Sequence, residues 1–278
     1  MYQKSFLLLF VGVLFCFACS DRPISKAQHG EEKRILLLLA HPDDETMLGS
    51  FLLQWRNAGH EVRAIYFTAG EGGKMFKGLD EHGQAQYEVV AAEELKKIRC
   101  QELQSAALGY GIDDHLMLDQ GDVPLRDQQG KPVRDVNLFL GANIWDQDTI
   151  AQKIKAYVAS YPADIVVTMS MDQDAHAHHK AVRFITQQLW DQQVFGKKAK
   201  LLLAVEEGYR IDSSKGKENL PVWQTNRLTN ALPGTKKTYA EQSFAVAQAH
   251  NPKLQGISLL PKIVPKRYIL SKKNKKMI

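Results

Sequence analysis

A short apolar run that ends in a cluster of charged side chains constrains this sequence most. Residues 35–39 read Ile-Leu-Leu-Leu-Leu, a run too short to span a membrane and typical of a strand covered on both faces. His41, Asp43, Asp44 and Glu45 follow within the next residues. Because ligands of open parallel sheets bind outside the carboxyl ends of the strands, chemistry is expected at this cluster. Imidazole and carboxylate together favour a divalent transition metal, zinc first.

A second cluster follows another buried strand, predicted over residues 163–169. Asp174, His176, His178 and His179 come shortly after its end, and parallel strands would bring both clusters to one edge of one sheet. A catalytic zinc needs three protein ligands and an open position for water. It lowers the pKa of that water from about 15.7 toward about 7. The two clusters together weaken the competing interpretation of the first one, a charged turn with an Asp helix cap.

The rest of the chain alternates between strand and helix patterns. Further strands are predicted over residues 61–68, 115–118, 200–205 and 267–270, and helices over residues 46–58, 84–108, 148–160, a stretch after His179, and 236–250. This alternation predicts an α/β fold with a Rossmann-like, mainly parallel sheet and helices on both faces, in a single domain. Residues 123–147 lack clear periodicity, and long segments of this kind are often lids or binding loops.

Charge and cysteine content argue against two classes of function. The formal net charge is +5, and much of the excess lies in the lysine-rich tail over residues 271–278. Nucleic-acid binding would need basic residues interleaved with aromatic ones along the fold, so no nucleic-acid partner is expected. Cys100 is typical of a small core residue, and no thiol catalysis is predicted for it.

The two clusters resemble the motifs of a known family. Residues 40–45, Ala-His-Pro-Asp-Asp-Glu, resemble the signature of the LmbE-like, or PIG-L, N-acetylglucosaminyl de-N-acetylases. Asp174-x-His176-x-x-His179 resembles the second motif of that family. The lesser motifs are similar to Thr68-x-Gly70-Glu71-x-Gly73 and to Arg99-x-x-Glu102 leading to Leu108-Gly109. The resemblance covers residues 35–205, which is most of the chain beyond its N-terminal segment.

The resemblance assigns roles to individual residues. It implies that His41, Asp44 and His179 hold zinc or another divalent transition metal. It also implies that Asp43 is the general base and that His176 stabilises the tetrahedral oxyanion or acts as the acid. Spacing alone does not choose between the two aspartates, because adjacent side chains point apart. The assignment of Asp44 to the metal therefore rests on the resemblance.

The resemblance further implies a group of sugar-binding residues. Arg99 and Asp122 are placed to hold sugar hydroxyls, and Glu71 joins them. The family often has Asp directly before its last ligand histidine, where this chain has His178. His178 is a rival ligand, although a solvated or core histidine is the favoured interpretation. His250 is either a pocket residue or, as is more common, a histidine at a helix end.

These features together predict a zinc-dependent hydrolase. It would remove the acetyl group from an N-acetylated amino sugar, and its expected partner is an N-acetylglucosamine-type glycan or glycoconjugate. The alternatives are a zinc phosphoesterase and a non-catalytic sugar-binding lipoprotein. Two-metal phosphoesterases need more ligands than the two clusters supply, and Asp43 and Asp44 beside His41, His176 and His179 argue against a relic site.

The N-terminal segment resembles an export signal. Lys4 precedes an apolar stretch over residues 6–17, too short for a comfortable transmembrane helix, and Ala18 before Cys19 resembles a bacterial lipoprotein cleavage site. The expected product is exported and anchored in the bacterial cell envelope through lipidated Cys19; a soluble periplasmic or secreted protein is the alternative. The predicted organisation is a lipoprotein-type signal peptide over residues 1–18, a tether over 19–33, a de-N-acetylase-like catalytic domain over 34–270 and a basic tail over 271–278.

Overall fold

The computed structural model describes residues 31–82, 84–169, 175–206, 222–224, 246 and 268–272. All of them belong to one unit that begins at Glu31. The predicted signal peptide with Cys19, the predicted helix over residues 236–250 apart from Val246 but including His250, and Asp174 of the second cluster lie outside the described residues. These features remain predictions.

Strands and helices alternate along the described chain. The strands are β1 (Arg34–Leu39), β2 (Glu61–Thr68), β3 (Met75–Leu79), β4 (Ala85–Glu88), β5 (Asp114–Gln120), β6 (Ile165–Met169), β7 (Lys200–Glu206), β8 (Val222–Gln224) and β9 (Tyr268–Lys272). The helices are α1 (Gly49–Asn57), α2 (Ala92–Tyr110), α3 (Val136–Gly141), α4 (Gln147–Ser160) and α5 (Ala177–Asp191), and a 3-10 helix at Asp44–Leu48 precedes α1. None of these helices combines the length and the apolarity needed to cross a membrane.

Seven strands form one sheet in the order β5-β2-β1-β6-β7-β9-β8. The five strands from β5 to β7 are parallel to their neighbours, and β9 and β8 add an antiparallel edge. Strands β3 and β4 form a separate antiparallel pair. The mainly parallel α/β sheet predicted from the alternation of strands and helices is therefore confirmed.

Strand β1 lies inside the sheet and is buried on both faces. Ile35, Leu37 and Leu39 pack into one hydrophobic core, and Leu36 and Leu38 pack into the other. Helices α1 and α2 close the first core, and α3, α4 and α5 close the second. Full burial of a leucine side chain stabilises the fold by about 1.5–3 kcal/mol relative to exposure. The predicted arrangement, with helices on both faces, follows from this two-sided burial.

The helix predicted over residues 84–108 is wrong at its start. Residues Ala85–Glu88 form β4, and α2 begins only after them. The rings of Phe76 and Tyr87 are in edge contact across the β3–β4 pair, with centroids 5.8 Å apart. Val89, an expected apolar position of the helix, is 76% exposed. Strand pairing and cross-strand ring contact override the local apolar spacing here.

The segment over residues 123–147, which lacks periodicity, contains α3. The side chain of Asp135 caps this helix by accepting from the backbone N–H groups of Asn137 and Leu138. Phe139 and Trp145 from the same segment are buried in the second core. The segment therefore packs against the body of the domain through two aromatic side chains, and its first residues reach the candidate site described below.

Candidate metal centre

The two predicted clusters meet at one edge of the sheet. Strands β1 and β6 are parallel neighbours, so the turn after β1 and the first turn of α5 after β6 lie side by side. His179 Nε2 lies 3.0 Å from Asp44 Oδ1, and His41 Nδ1 lies 3.7 Å from Asp44 Oδ2. His41, Asp44 and His179 each offer a donor atom within 4.8 Å of the others. These three residues are called the metal group below.

Two backbone N–H groups hold the side chain of Asp44 in place. Its Oδ2 accepts hydrogen bonds of 2.9 Å from the backbone N–H groups of Ala40 and His41. Burial by itself would raise the pKa of Asp44, but the charge and hydrogen bond of His179, together with those of His41, hold it well below its ordinary value. Asp44 is therefore an ionised carboxylate whose position is set by the backbone at the end of β1.

The donor set fits a divalent transition metal. Two imidazoles and one ionised carboxylate, all partly or fully buried, match the ligands of catalytic zinc sites. Within the described residues, His41, His176 and His178 form a second group whose donor atoms also lie within 4.8 Å of one another. The rings of His176 and His179 are adjacent, with centroids 4.0 Å apart. The metal would be held by His41, Asp44 and His179, with His176 beside it.

Asp43 points away from Asp44 and toward α2. Its Oδ2 accepts a 2.8 Å hydrogen bond from Arg99 Nη1, and its side chain is 48% exposed. Its backbone has a left-handed φ of 118°, which is strained for a residue with a Cβ. Partial desolvation and the charge of Asp44 raise the pKa of Asp43, while the charge of Arg99 opposes that rise.

Glu45 stabilises this strained turn through a hydrogen bond to its backbone. It is fully buried, and its Oε2 accepts from the backbone N–H of Asp43 at 3.0 Å and from the Tyr66 hydroxyl at 3.2 Å. Burial and the charge of Asp43 raise the pKa of Glu45 to about 8. The third carboxylate of the first cluster therefore holds the backbone of Asp43 instead of facing the metal group.

Asp122 joins the histidines from the loop after β5. Its Oδ1 lies 3.2 Å from His41 Nε2 and 2.9 Å from His178 Nδ1. Its Oδ2 accepts from the backbone N–H of Gly72 at 3.0 Å, and its own N–H donates to Glu71 Oε1 at 2.9 Å. Glu71 and Asp122, both predicted to bind sugar, thus contact each other.

His178 is neither solvated nor purely part of the core. Its ring stacks on Trp145 with centroids 5.5 Å apart and meets the edge of Phe139, so the side chain is buried. Its Nδ1 lies 3.1 Å from His41 Nε2, and its Nε2 lies 3.3 Å from the carbonyl oxygen of Val123. One face of His178 is therefore a core contact, and its nitrogens belong to the site.

Sequence comparison identifies the family. The profile described as "PIG-L: GlcNAc-PI de-N-acetylase" matches residues 36–190, more than half of the 278-residue chain. The chain belongs to the PIG-L family. The matched region begins in β1 and ends in α5, so it contains every residue of the PIG-L motifs discussed above. The resemblance drawn from these motifs is confirmed.

The matches to individual relatives cover about half of this chain and about half of each relative. The chain is 31% identical over 160 residues to the 1D-myo-inositol 2-acetamido-2-deoxy-alpha-D-glucopyranoside deacetylase of Rhodococcus jostii (strain RHA1), covering 56% of this chain and 52% of that protein. It is 30% identical over 141 residues to the protein of the same name from Mycolicibacterium gilvum (strain PYR-GCK), covering 50% of this chain and 47% of that protein. The chain thus spans about half the length of the curated relatives it matches.

Solved structures agree on the fold. The zinc inhibited form of a teicoplanin deacetylase superposes with a TM-score of 0.55 at 13% identity, covering 87% of this chain and 99% of that one. At this identity the likeness shows the fold alone.

The structure brings the predicted PIG-L metal ligands His41, Asp44 and His179 together. The other predicted site residues differ in what they contact. His176 is exposed beside the metal group, whereas Arg99, Glu71 and Asp122 all contact other protein groups. Their roles remain predictions. Sequence reasoning named His178 as a rival ligand but favoured a solvated or core histidine. Its packing on Phe139 and Trp145 was not predicted, because both lie in the segment without periodicity. The only local signal was the run of histidines itself.

Proposed function

We propose that this protein is a zinc-dependent hydrolase that removes the acetyl group from an N-acetylated amino sugar. The observation that carries the proposal is the split between adjacent aspartates. Asp44 faces His41 and His179, whereas Asp43 faces Arg99 with part of its carboxylate exposed. One carboxylate is thus available to a metal and the other to a reacting water, in a chain of the PIG-L family.

The reaction is hydrolysis of an amide, in which water attacks the acetyl carbon and the sugar amine leaves with a proton. A zinc held by His41, Asp44 and His179 would polarise the carbonyl and acidify the water. Asp43 accepts the proton of the attacking water at its carboxylate, which Arg99 holds in place, and returns that proton to the sugar nitrogen as the C–N bond breaks. The product pair is acetate and the free amine.

His176 is proposed to stabilise the oxyanion. It is exposed at the edge of the metal group. Desolvation and the charges of the neighbouring histidines lower the pKa of His176 to about 3. The resemblance allows both the oxyanion role and the acid role. We propose the oxyanion role because the exposed ring of His176 lies next to the ring of His179.

The substrate class rests on the family and its relatives. The family description names GlcNAc-PI, and the relatives' names specify a 2-acetamido-2-deoxy-glucopyranoside. We propose an N-acetylglucosamine-type glycan or conjugate as substrate. That Arg99 and Glu71 contact its hydroxyls remains a prediction.

Acetate release tests the proposal. N-acetylglucosamine, an N-acetylglucosaminyl-inositol and a sugar phosphate are each incubated with the protein, with and without a chelator and with zinc restored. We expect acetate from an N-acetylated sugar, lost on chelation and recovered with zinc. Phosphate release without acetate would support the phosphoesterase alternative. Sugar binding without either product would support a binding protein.

We further propose that the mature protein is exported and anchored to a membrane through lipidated Cys19. The support is the signal-like residues 6–17 and Ala18 before Cys19. Mass spectrometry of the N-terminal peptide from the membrane fraction should find diacylglyceryl-modified Cys19. An unmodified mature N-terminus at another residue contradicts the anchor and leaves a soluble exported protein.

A further inference from the structure

His41 lies between two carboxylates. Its Nδ1 is 3.7 Å from Asp44 Oδ2, and its Nε2 is 3.2 Å from Asp122 Oδ1. A neutral imidazole offers a lone pair at one ring nitrogen and an N–H at the other. If Asp44 and His179 are the other two ligands, as in the proposed function, the metal lies on the Nδ1 side, which faces Asp44. The N–H then lies on Nε2, where it faces Asp122.

We propose that Asp122 is a positioning residue for the metal ligand His41. Its carboxylate accepts the Nε2–H of His41, which fixes the tautomer and turns Nδ1 toward the metal. The inference rests on the proposed function, because it takes His41 as a ligand. A carboxylate in this position raises the basicity of the ligand imidazole, and its loss typically weakens metal affinity about 10–100-fold.

Hydrogen bonds to the side chain and from the backbone N–H of Asp122 fix its orientation. Its Oδ2 accepts from the backbone N–H of Gly72, and its own N–H donates to Glu71. A Cβ on Gly72 would lie 1.7 Å from the carbonyl oxygen of Asp122, so the two backbones approach too closely for any side chain there. The Gly-rich turn after β2 therefore packs against the loop after β5 and fixes the position of Asp122 beside His41.

The same contacts leave little room for a sugar hydroxyl on Asp122. A carboxylate has about four lone-pair sites, and Asp122 already has three partners in His41 Nε2, His178 Nδ1 and the Gly72 N–H. The residue is 7% exposed. Asp122 therefore positions His41 instead of binding the sugar, the role that the resemblance implied for it.

The test is the zinc affinity of Asp122→Asn. An amide of the same shape must turn its NH₂ toward either Gly72 N–H or His41 Nε2–H, so one of these bonds is lost or the tautomer of His41 is reversed. Zinc dissociation constants are measured on metal-free protein by competition with a chromophoric chelator. We expect affinity to fall roughly 10–100-fold, with a changed visible spectrum of the Co²⁺-loaded protein.

Asp119→Asn is the matched control. Asp119 lies in β5 close to Asp122 in sequence and pairs with Lys96 at 3.0 Å, so the same chemical change there should leave zinc affinity unaltered. Gly72→Ala is the second variant, because it displaces Asp122 without changing any ionisable group. It should weaken zinc binding in the same direction, and it decides the matter if Asp122→Asn does not fold.

The outcomes separate this inference from the proposed function. Wild-type protein that binds no zinc contradicts the proposed function, whatever the variants do. Wild-type zinc affinity in Asp122→Asn and Gly72→Ala overturns the positioning role alone. A raised KM for the sugar in Asp122→Asn, with unchanged zinc affinity and Co²⁺ spectrum, would return Asp122 to the sugar-binding group.

Discussion

Arg99 on α2 donates a 2.8 Å hydrogen bond from its Nη1 to the carboxylate of Asp43 in the turn after β1. The two residues are 56 positions apart in sequence, and the contact closes over the turn that carries the first motif. It holds Asp43 away from the metal group that Asp44 joins. The chemistry proposed here depends on this separation of two adjacent carboxylates.

Asp43→Asn should keep zinc and lose turnover. The amide matches the carboxylate in size but cannot accept the water's proton near neutral pH. The loss should fall on kcat, by roughly 10²–10⁴-fold. Zinc content and kinetics are measured on the same samples. If the variant loses its metal, the two aspartates are assigned the wrong way round. If it keeps both metal and turnover, another group is the base, and Glu71 is the next carboxylate to test.

Arg99→Gln should move the acidic limb of the pH–rate profile. The charge of Arg99 lowers the pKa of Asp43 against desolvation and the charge of Asp44. Removing that charge raises the pKa, so the base becomes protonated at a higher pH and the acidic limb of kcat/KM shifts upward in pH. Arg126→Gln is the control, since Arg126 is exposed and contacts the carbonyl of Gly130. An unshifted limb would show that Asp43 is not the base, or that Arg99 does not govern it.

His41→Ala, Asp44→Ala and His179→Ala should each lose bound zinc together with activity. A site with three protein ligands has none to spare. Metal content by elemental analysis after dialysis is the measurement, with exposed His82→Ala as a control. Near-stoichiometric zinc in His179→Ala would contradict the assignment and favour His178, whose nitrogen already faces His41.

Zinc binding should release a proton at neutral pH. Burial alone would lower the pKa of His41, but hydrogen bonds and charges from Asp122 and Asp44 raise it to about 10 in the metal-free protein. Zinc must displace a proton from this imidazole, so its apparent affinity falls as pH falls below that value. Titration calorimetry in buffers of different ionisation enthalpy measures the released protons. Equal heats in all buffers would contradict the displacement.

Leu37→Ala should destabilise the fold strongly, because Leu37 is fully buried in the strand that carries the site. Loss of a core leucine costs about 2–5 kcal/mol of unfolding free energy. Leu138→Ala is the matched control at a position that is 62% exposed, where the change should stay within about 0.5 kcal/mol. Urea unfolding followed by tryptophan fluorescence compares the two variants.

The strands of the parallel part of the sheet were predictable from local patterns, whereas β3, β4 and β8 were not. Each strand of the parallel part of the sheet contains a short apolar run, and runs of that kind have few alternatives in an α/β chain. Residues 84–91 misled the prediction because their apolar residues fit a helical spacing. Their pairing with β3 depends on a partner strand that local periodicity does not detect.

The sequence by itself determined the fold class, the family and the residues from which the candidate site is built. Apolar runs followed by His/Asp clusters encode both the sheet and its reactive edge, and this information is local. Only the tertiary structure decided which partner each carboxylate faces: Asp44 faces His179, Asp43 faces Arg99, and Asp122 faces His41 and His178. The physical reason is that the direction of a side chain depends on backbone geometry and on contacts with residues distant in sequence. The left-handed turn at Asp43 and the close approach of Gly72 to Asp122 exist only once the strands have assembled.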